Sequence, residues 1–139
     1  LTDATALAMD RTQLKTVLYV DDEPDIREIV EMALGLVDNL VVLTCASAEQ
    51  ALGAIPTLGP DLVLMDVMMP AMDGPTALGR MRADPKLAAI PVVFVTAKAM
   101  PHEVAHFREL GAAGVIAKPF DPMKLGQEVV AIWERIDHR

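Results

Sequence analysis

Four apolar runs in the chain each stop on a polar residue, two on carboxylates, one on a hydroxyl and one on an ammonium. Val17-Leu18-Tyr19-Val20 runs into Asp21 and Asp22, Leu62-Val63-Leu64-Met65 into Asp66, Val92-Val93-Phe94-Val95 into Thr96, and Val115-Ile116-Ala117 into Lys118. A fifth run, Leu40-Val41-Val42-Leu43, is short and weaker. The first four lack polar alternation, as strands covered on both faces do. They recur at intervals of roughly 22 to 30 residues, room for a helix and two loops between successive strands. If they lie parallel in one sheet, their carboxyl ends share an edge. That edge is where open α/β sheets build their sites.

Helical patterns fill the intervals. Pro24 suits a first turn, and Ile26, Ile29, Val30, Ala33 and Val37 make one apolar stripe. Ser47 caps a second helix expected to run through Ile55, with Pro56, Gly59 and Pro60 ending it. A third begins near Gly74-Pro75 and runs to about Ala83. Pro101 opens a fourth that reaches Leu110 and stops at Gly111. Asp121-Pro122 opens a fifth through Leu125, Val129, Ile132, Trp133 and Ile136. Five βα units with right-handed crossovers predict a doubly wound, flavodoxin-like α/β sheet of five parallel strands in the order 2-1-3-4-5, with helices on both faces. The crevice then falls between the ends of the first and third strands, where Asp21, Asp22 and Asp66 sit.

The 139 residues allow one domain with one core, expected over residues 15 to 139, with residues 1 to 14 as a flexible or loosely helical extension. Only 4% of residues are aromatic, so the core is aliphatic side chains and Met. A net charge of -8 opposes direct binding to a nucleic-acid backbone or an anionic membrane, and points to a cationic or protein partner. No apolar run approaches the ~20 residues of a membrane span, and the start lacks a secretory signal. Cys45 is the only cysteine, which excludes an intrachain disulfide and suits a reducing, cytoplasmic setting; it reads as a small buried hydrophobe.

Three carboxylates crowded at a strand edge repel one another unless a cation sits among them. Mg²⁺ suits such a place, because it takes oxygen ligands, keeps several waters and is held by one or two carboxylates plus phosphate oxygen. An Asp there can attack phosphorus and form an acyl phosphate, with the metal and Lys118 neutralising the oxygen charge. Thr96 can donate a hydrogen bond to the same group, and Ala97 leaves room for it to enter. Singly, Asp21-Asp22-Glu23 could be a helix cap, Asp66 a strand end and Lys118 a solvated lysine. Their coincidence at one edge argues for a site.

Asp21-Asp22-Glu23, the stretch from Asp66 to Gly74, Thr96-Ala97 and the stretch from Gly111 to Phe120 resemble the receiver domains of two-component response regulators, in order and in spacing, over about residues 15 to 137. The resemblance implies that Asp66 accepts a phosphoryl group from a histidine kinase or a phosphotransfer protein. It implies that Mg²⁺, or Mn²⁺ in its place, is held by Asp22 and Asp66, by Asp21 mostly through water, and by the backbone carbonyl of Met68. Thr96, Ala97 and Lys118 would receive the phosphoryl oxygens, Pro119 would follow a cis peptide that orients the lysine, and Met68 and Lys98 would tune the phosphoryl lifetime. Val115 occupies the place where the family commonly carries Tyr or Phe as part of the switch, so signalling is expected to pass through the Thr96 loop and the fourth helix without an aromatic readout.

The same resemblance implies a monomer or weak dimer that binds a downstream protein through the fourth helix, fifth strand and fifth helix. It implies self-phosphorylation and slow self-dephosphorylation rather than turnover of an external substrate. Trp133 could belong to that interaction face or be buried, and the chain's end soon after the fifth helix leads to the expectation that no output domain follows.

Other chemistries fit less well. His102-Glu103-Val104-Ala105-His106 spells the zinc-protease string, but helical spacing turns both histidines away from the core side of Val104, Phe107 and Gly111. Catalytic zinc also needs a third ligand and an open position. Aspartate-based phosphatases resemble Asp-x-Asp, and Met68 stands where the second Asp would be a general acid. A flavin carrier on the same sheet order would find its phosphate repelled by Asp21-Asp22-Glu23.

Overall fold

In the computed structural model, which describes residues 13–136, the five apolar runs pair into one parallel sheet. The strands are β1 (Thr16–Val20), β2 (Val41–Cys45), β3 (Leu62–Asp66), β4 (Val92–Thr96) and β5 (Gly114–Ala117). Their order is β2-β1-β3-β4-β5, as the sequence predicts. All residues of β3 and β4, and all of β1 but Thr16, are buried, because helices cover both faces. β2 is an edge strand with only Cys45 fully buried, which is why its apolar signal is weakest.

The helices are α1 (Pro24–Leu34), α2 (Ala48–Leu58), α3 (Gly74–Ala83), α4 (Pro101–Glu109) and α5 (Pro122–Arg135). On one face Val30, Ala33 and Leu34 of α1 and Leu125, Val129 and Trp133 of α5 pack with Tyr19, Leu64 and Val95. On the other, Ala48, Ala51 and Ile55 of α2, Ala77, Leu78 and Met81 of α3, and Phe107 of α4 pack with Leu18, Met65 and Phe94. Trp133 is thus a core residue rather than part of an interaction face. Leu14 already packs in the core, and the N–H groups of Lys15 and Thr16 both donate to Asp61 Oδ2, at 3.0 and 2.9 Å. The extension expected over residues 1 to 14 lies, through residue 12, outside the described residues.

Two local expectations need correction. α2 does not stop before Pro56 but runs on to Leu58. Pro56 forfeits one backbone bond, yet it lies in the last turn, where Gly59 adopts φ 57° and its N–H closes on Ile55 O at 2.9 Å. In α1 the stripe is shifted: Ile29 is 39% exposed and Leu34 is fully buried. The helix ends before Val37, which instead packs against α5 so closely that a Cβ on Gly126 would lie 2.6 Å from Val37 Cγ2.

α4 is the most thinly anchored helix, with Phe107 its only buried residue, set edge-on against Phe94 at 5.1 Å between ring centroids. At its far end, the half-buried Arg82 guanidinium donates to Ile90 O at 2.8 Å, Ala88 O at 3.2 Å and Gly111 O at 3.2 Å. It ties the α3–β4 loop to the turn after α4.

Gly74 opens α3 directly behind Asp66. A Cβ there would meet Asp66 O at 2.8 Å, Phe94 Cε1 at 3.0 Å and Val67 Cα at 3.1 Å, two of them backbone atoms that cannot yield cheaply. Gly74→Ala is therefore expected to cost about 2 kcal/mol in denaturant melts, and wild-type stability in that variant would contradict the packing.

Candidate functional site

The strand order reverses between β1 and β3, so their connections leave in opposite directions and open a crevice at the carboxyl edge. Asp21 follows β1 directly, Asp66 ends β3, Thr96 ends β4 and Lys118 follows β5. One carboxylate oxygen from each of Asp21, Asp22 and Asp66 lies within 4.8 Å of the other two, the one such acidic or metal-ligating group among the described residues. The Lys118 ammonium sits 3.3 Å from Asp21 Oδ2 and 3.4 Å from Asp66 Oδ1. Five of the residues named from sequence, Asp21, Asp22, Asp66, Thr96 and Lys118, thus converge from four segments far apart in the chain.

Asp21 is fully buried and every part of it is engaged. Its Oδ1 accepts the Glu23 N–H at 2.9 Å, its Oδ2 accepts the Tyr19 hydroxyl at 2.5 Å as well as Lys118, and its backbone carbonyl accepts Arg27 Nη1 at 2.8 Å. Burial first, then Asp21's hydrogen bond and charge, pushes the Tyr19 phenol well above its ordinary range, so it remains a donor at neutral pH. Asp22 is more open to solvent than Asp21.

The Asp66 carboxyl titrates above its ordinary 3.8. Burial raises it most; Lys118 pulls it back, Asp21 pushes it up again, and the Met68 N–H, 3.4 Å from Oδ1, pulls it down. The folded chain therefore holds this proton more tightly than the unfolded chain does. Its contribution to stability is complete below pH 3.8 and is lost as pH rises through the raised value, leaving a charged Asp66 as a net cost at neutral pH.

Thr96 is buried, and its Oγ1 accepts the Lys98 N–H at 3.0 Å, which leaves the hydroxyl proton for another acceptor. Its backbone carbonyl accepts the Lys118 N–H at 2.9 Å, coupling the ends of β4 and β5. Ala97, Met68 and the Lys98 side chain are exposed at the rim, and the Lys118-Pro119 peptide is cis. Val115 is not in the crevice: it pairs with Phe94, two residues below Thr96, and packs on the α2–α4 side of the sheet. It also borders a groove of about 810 Å³ between α4 and α5, lined with Arg108, Ile132 and Arg135.

Neighbouring oxygens of an octahedral Mg²⁺ lie roughly 3 Å apart and opposite ones roughly 4 Å, given ligand distances of 2.0–2.1 Å. The carboxylate trio needs only small side-chain adjustment to fit, with water completing the shell. All donors are oxygen and their negative charge exceeds the positive charge of Lys118, which favours a hard divalent cation.

Sequence reasoning missed Tyr19, Arg27 and the Glu23 N–H. Tyr19 did leave a signal, as the one hydroxyl in an otherwise aliphatic run and two residues before Asp21, hence on the same strand face. The zinc-protease string fails on geometry: His102 and His106 are exposed, and the Glu103 carboxylate accepts the Met100 N–H at 3.1 Å as a helix cap. Cys45 is buried in the core, which raises its thiol. No described helix is long and apolar enough to cross a membrane.

A family model described as the response regulator receiver domain matches residues 17–130. The chain is similar to the response regulator Rre1 of Synechocystis sp., 36% identical over 110 residues, covering 79% of this chain and 48% of that protein. It is similar to the phosphate regulon transcriptional regulatory protein PhoB of Pseudomonas aeruginosa, 35% identical over 121 residues, covering 87% of this chain and 52% of that one. The chain spans about half the length of these curated relatives. Among solved structures, the chemotaxis response regulator CheY4 of Vibrio cholerae superposes with a TM-score of 0.78 at 28% identity, over 86% of this chain and 99% of that one.

Proposed function

The chain belongs to the receiver-domain family of response regulators, and from that premise we propose that it signals by accepting a phosphoryl group on Asp66. The observation that carries this reading is the Lys118 ammonium held between Asp21 and Asp66 at the mouth of the β1/β3 crevice. An Asp66 oxygen attacks phosphorus in line: the O–P bond forms as the bond to the donor atom breaks. That bond's electron pair leaves with the donor, an imidazole nitrogen of a phosphohistidine on a histidine kinase or phosphotransfer protein, or the acetate of acetyl phosphate. Lys118 swings from the two carboxylates to one phosphoryl oxygen, and the Thr96 hydroxyl donates its proton to another. Asp21, Asp22, Asp66 and the Met68 carbonyl would hold Mg²⁺, which supplies charge neutralisation at the phosphoryl oxygens. The fit of the carboxylate trio supports this choice.

Met68 stands where an aspartate-based phosphatase would carry its general acid, which favours a phosphoryl carrier that slowly loses its own phosphoryl group over an enzyme with turnover. Met68 and Lys98, exposed and each two residues beyond a site residue, would tune water access to it. Output passes through the Thr96 loop to α4, whose single buried anchor makes it the helix cheapest to move, and from there to a protein bound along α4, β5 and α5. Some relatives are named transcriptional regulators; we read this chain as a cytoplasmic monomer or weak dimer whose acidic balance favours protein contacts over direct contact with DNA.

The test is incubation with acetyl phosphate and Mg²⁺, followed by intact mass. One acid-stable, base-labile phosphoryl adduct is expected, and EDTA should suppress it. Absence of any adduct under conditions that fully modify a known receiver would sink the proposal. With a phosphoryl mimic bound, hydrogen exchange should change in the Thr96 loop and in α4 even though Val115 replaces the ring; an unchanged α4 would show that output leaves by another route.

A further inference from the structure

We propose that Tyr19 is a positioning residue for Asp21, fixing the carboxylate that completes the cation site and keeping it satisfied when Lys118 departs. The inference rests on the phosphoryl-accepting reading above. Asp21 Oδ2 has two donors, the Tyr19 hydroxyl at 2.5 Å and the Lys118 ammonium at 3.3 Å. They differ in kind. Tyr19 sits at 0% exposure on the central strand β1, paired with Thr44 on β2 and Leu64 on β3, so its ring has nowhere to go. Lys118 is 20% exposed, and a second carboxylate, Asp66, competes for it.

If Lys118 swings away to a phosphoryl oxygen, Asp21 loses a charged partner while remaining fully buried. A buried carboxylate stripped of donors is costly. The Tyr19 hydroxyl and the Glu23 N–H, one on each oxygen, hold the carboxylate plane in place through that change. Positions 19 and 21 share a strand face, so the contact follows directly from the run Tyr19-Val20-Asp21. Every other side chain of β1's buried run is aliphatic and could not make it.

Removing the hydroxyl loosens the carboxylate and leaves Lys118 as the sole donor to Oδ2, which tightens an ion pair that opposes entry of a cation. Both effects act in one direction. Tyr19→Phe is expected to weaken Mg²⁺ binding about tenfold, the low end of what loss of a supporting hydrogen bond to a metal ligand costs.

Calorimetric titration of the full chain with Mg²⁺ alone, wild type beside Tyr19→Phe, tests this. The chain has one tyrosine, so the wild-type near-ultraviolet tyrosine band should shift on adding Mg²⁺ and report the contact itself. The variant keeps the ring, and its melting temperature shows whether the core is intact. Unchanged Mg²⁺ affinity in a folded Tyr19→Phe, or a tyrosine band indifferent to Mg²⁺, overturns the inference while leaving the phosphoryl-accepting reading in place. A wild-type chain that takes up no Mg²⁺ overturns both.

Discussion

Asp66→Asn is expected to take up no phosphoryl group from acetyl phosphate over a period in which the wild type is fully modified. The substitution keeps the size and planarity of the side chain and its oxygen near the Met68 N–H, so the crevice is preserved. It removes the anionic oxygen that, on the proposed reading, attacks phosphorus, and leaves a neutral amide, a far weaker nucleophile. The variant should fold well, because the charge it deletes is the one that burial and Asp21 disfavour. Its advantage in stability over the wild type, measured without metal, should grow as pH rises from the acid limit through the raised Asp66 value and then level off. An undiminished adduct would move the acceptor elsewhere; wild-type stability at every pH would contradict the electrostatics of the site.

The second large effect is expected at Lys118. Lys118→Met keeps much of the stem but leaves Asp21 and Asp66 facing one another with no cation between them. Removing one partner of a fully buried pair typically costs 3–5 kcal/mol; with the ammonium 20% exposed, about 2 kcal/mol is expected at neutral pH in metal-free buffer. Mg²⁺ should restore most of it by supplying the missing positive charge. Acidification should shrink the loss as Asp66 takes up its proton. Phosphorylation should slow by about a hundredfold, the scale for deleting one fixed charge donor at a developing anion. Denaturant melts with Mg²⁺ or EDTA, together with adduct formation rates, measure both. A metal-free variant as stable as wild type would mean that Lys118 does not balance the two carboxylates.

The sheet order, the five helices and the convergence of Asp21, Asp22, Asp66, Thr96 and Lys118 were legible in the sequence, because uninterrupted apolar runs that end on polar residues leave few arrangements of a parallel sheet. The places that misled were those where tertiary contact overrode a local signal. Pro56 reads as a stop, yet a proline in a final turn forfeits one backbone bond and no more, and α2 passes through it to Leu58. Val37 fits the helical period of α1 but packs on α5 from beyond the helix end, while Leu34 takes the buried place. Trp133 could face a partner or the core on periodicity alone; contact with α1 and the sheet placed it inside. Tyr19 was hidden for another reason. In a buried strand a tyrosine reads as bulk, and only coordinates show where its hydroxyl ends.

Arg82 fixes the far end of α4. Its guanidinium grips three peptide carbonyls and, among the described residues, no carboxylate, so acid within the range that titrates Asp66 leaves the grip untouched. One of those carbonyls, on Gly111, lies just beyond the tail of α4, whereas the head of that helix follows the loop from Thr96. A rod moored at its stern and loose at its bow can yaw but not drift. On the proposed output route, a small tug near the crevice would become a sideways sweep along the rod, widest beside Thr96 and vanishing at the mooring.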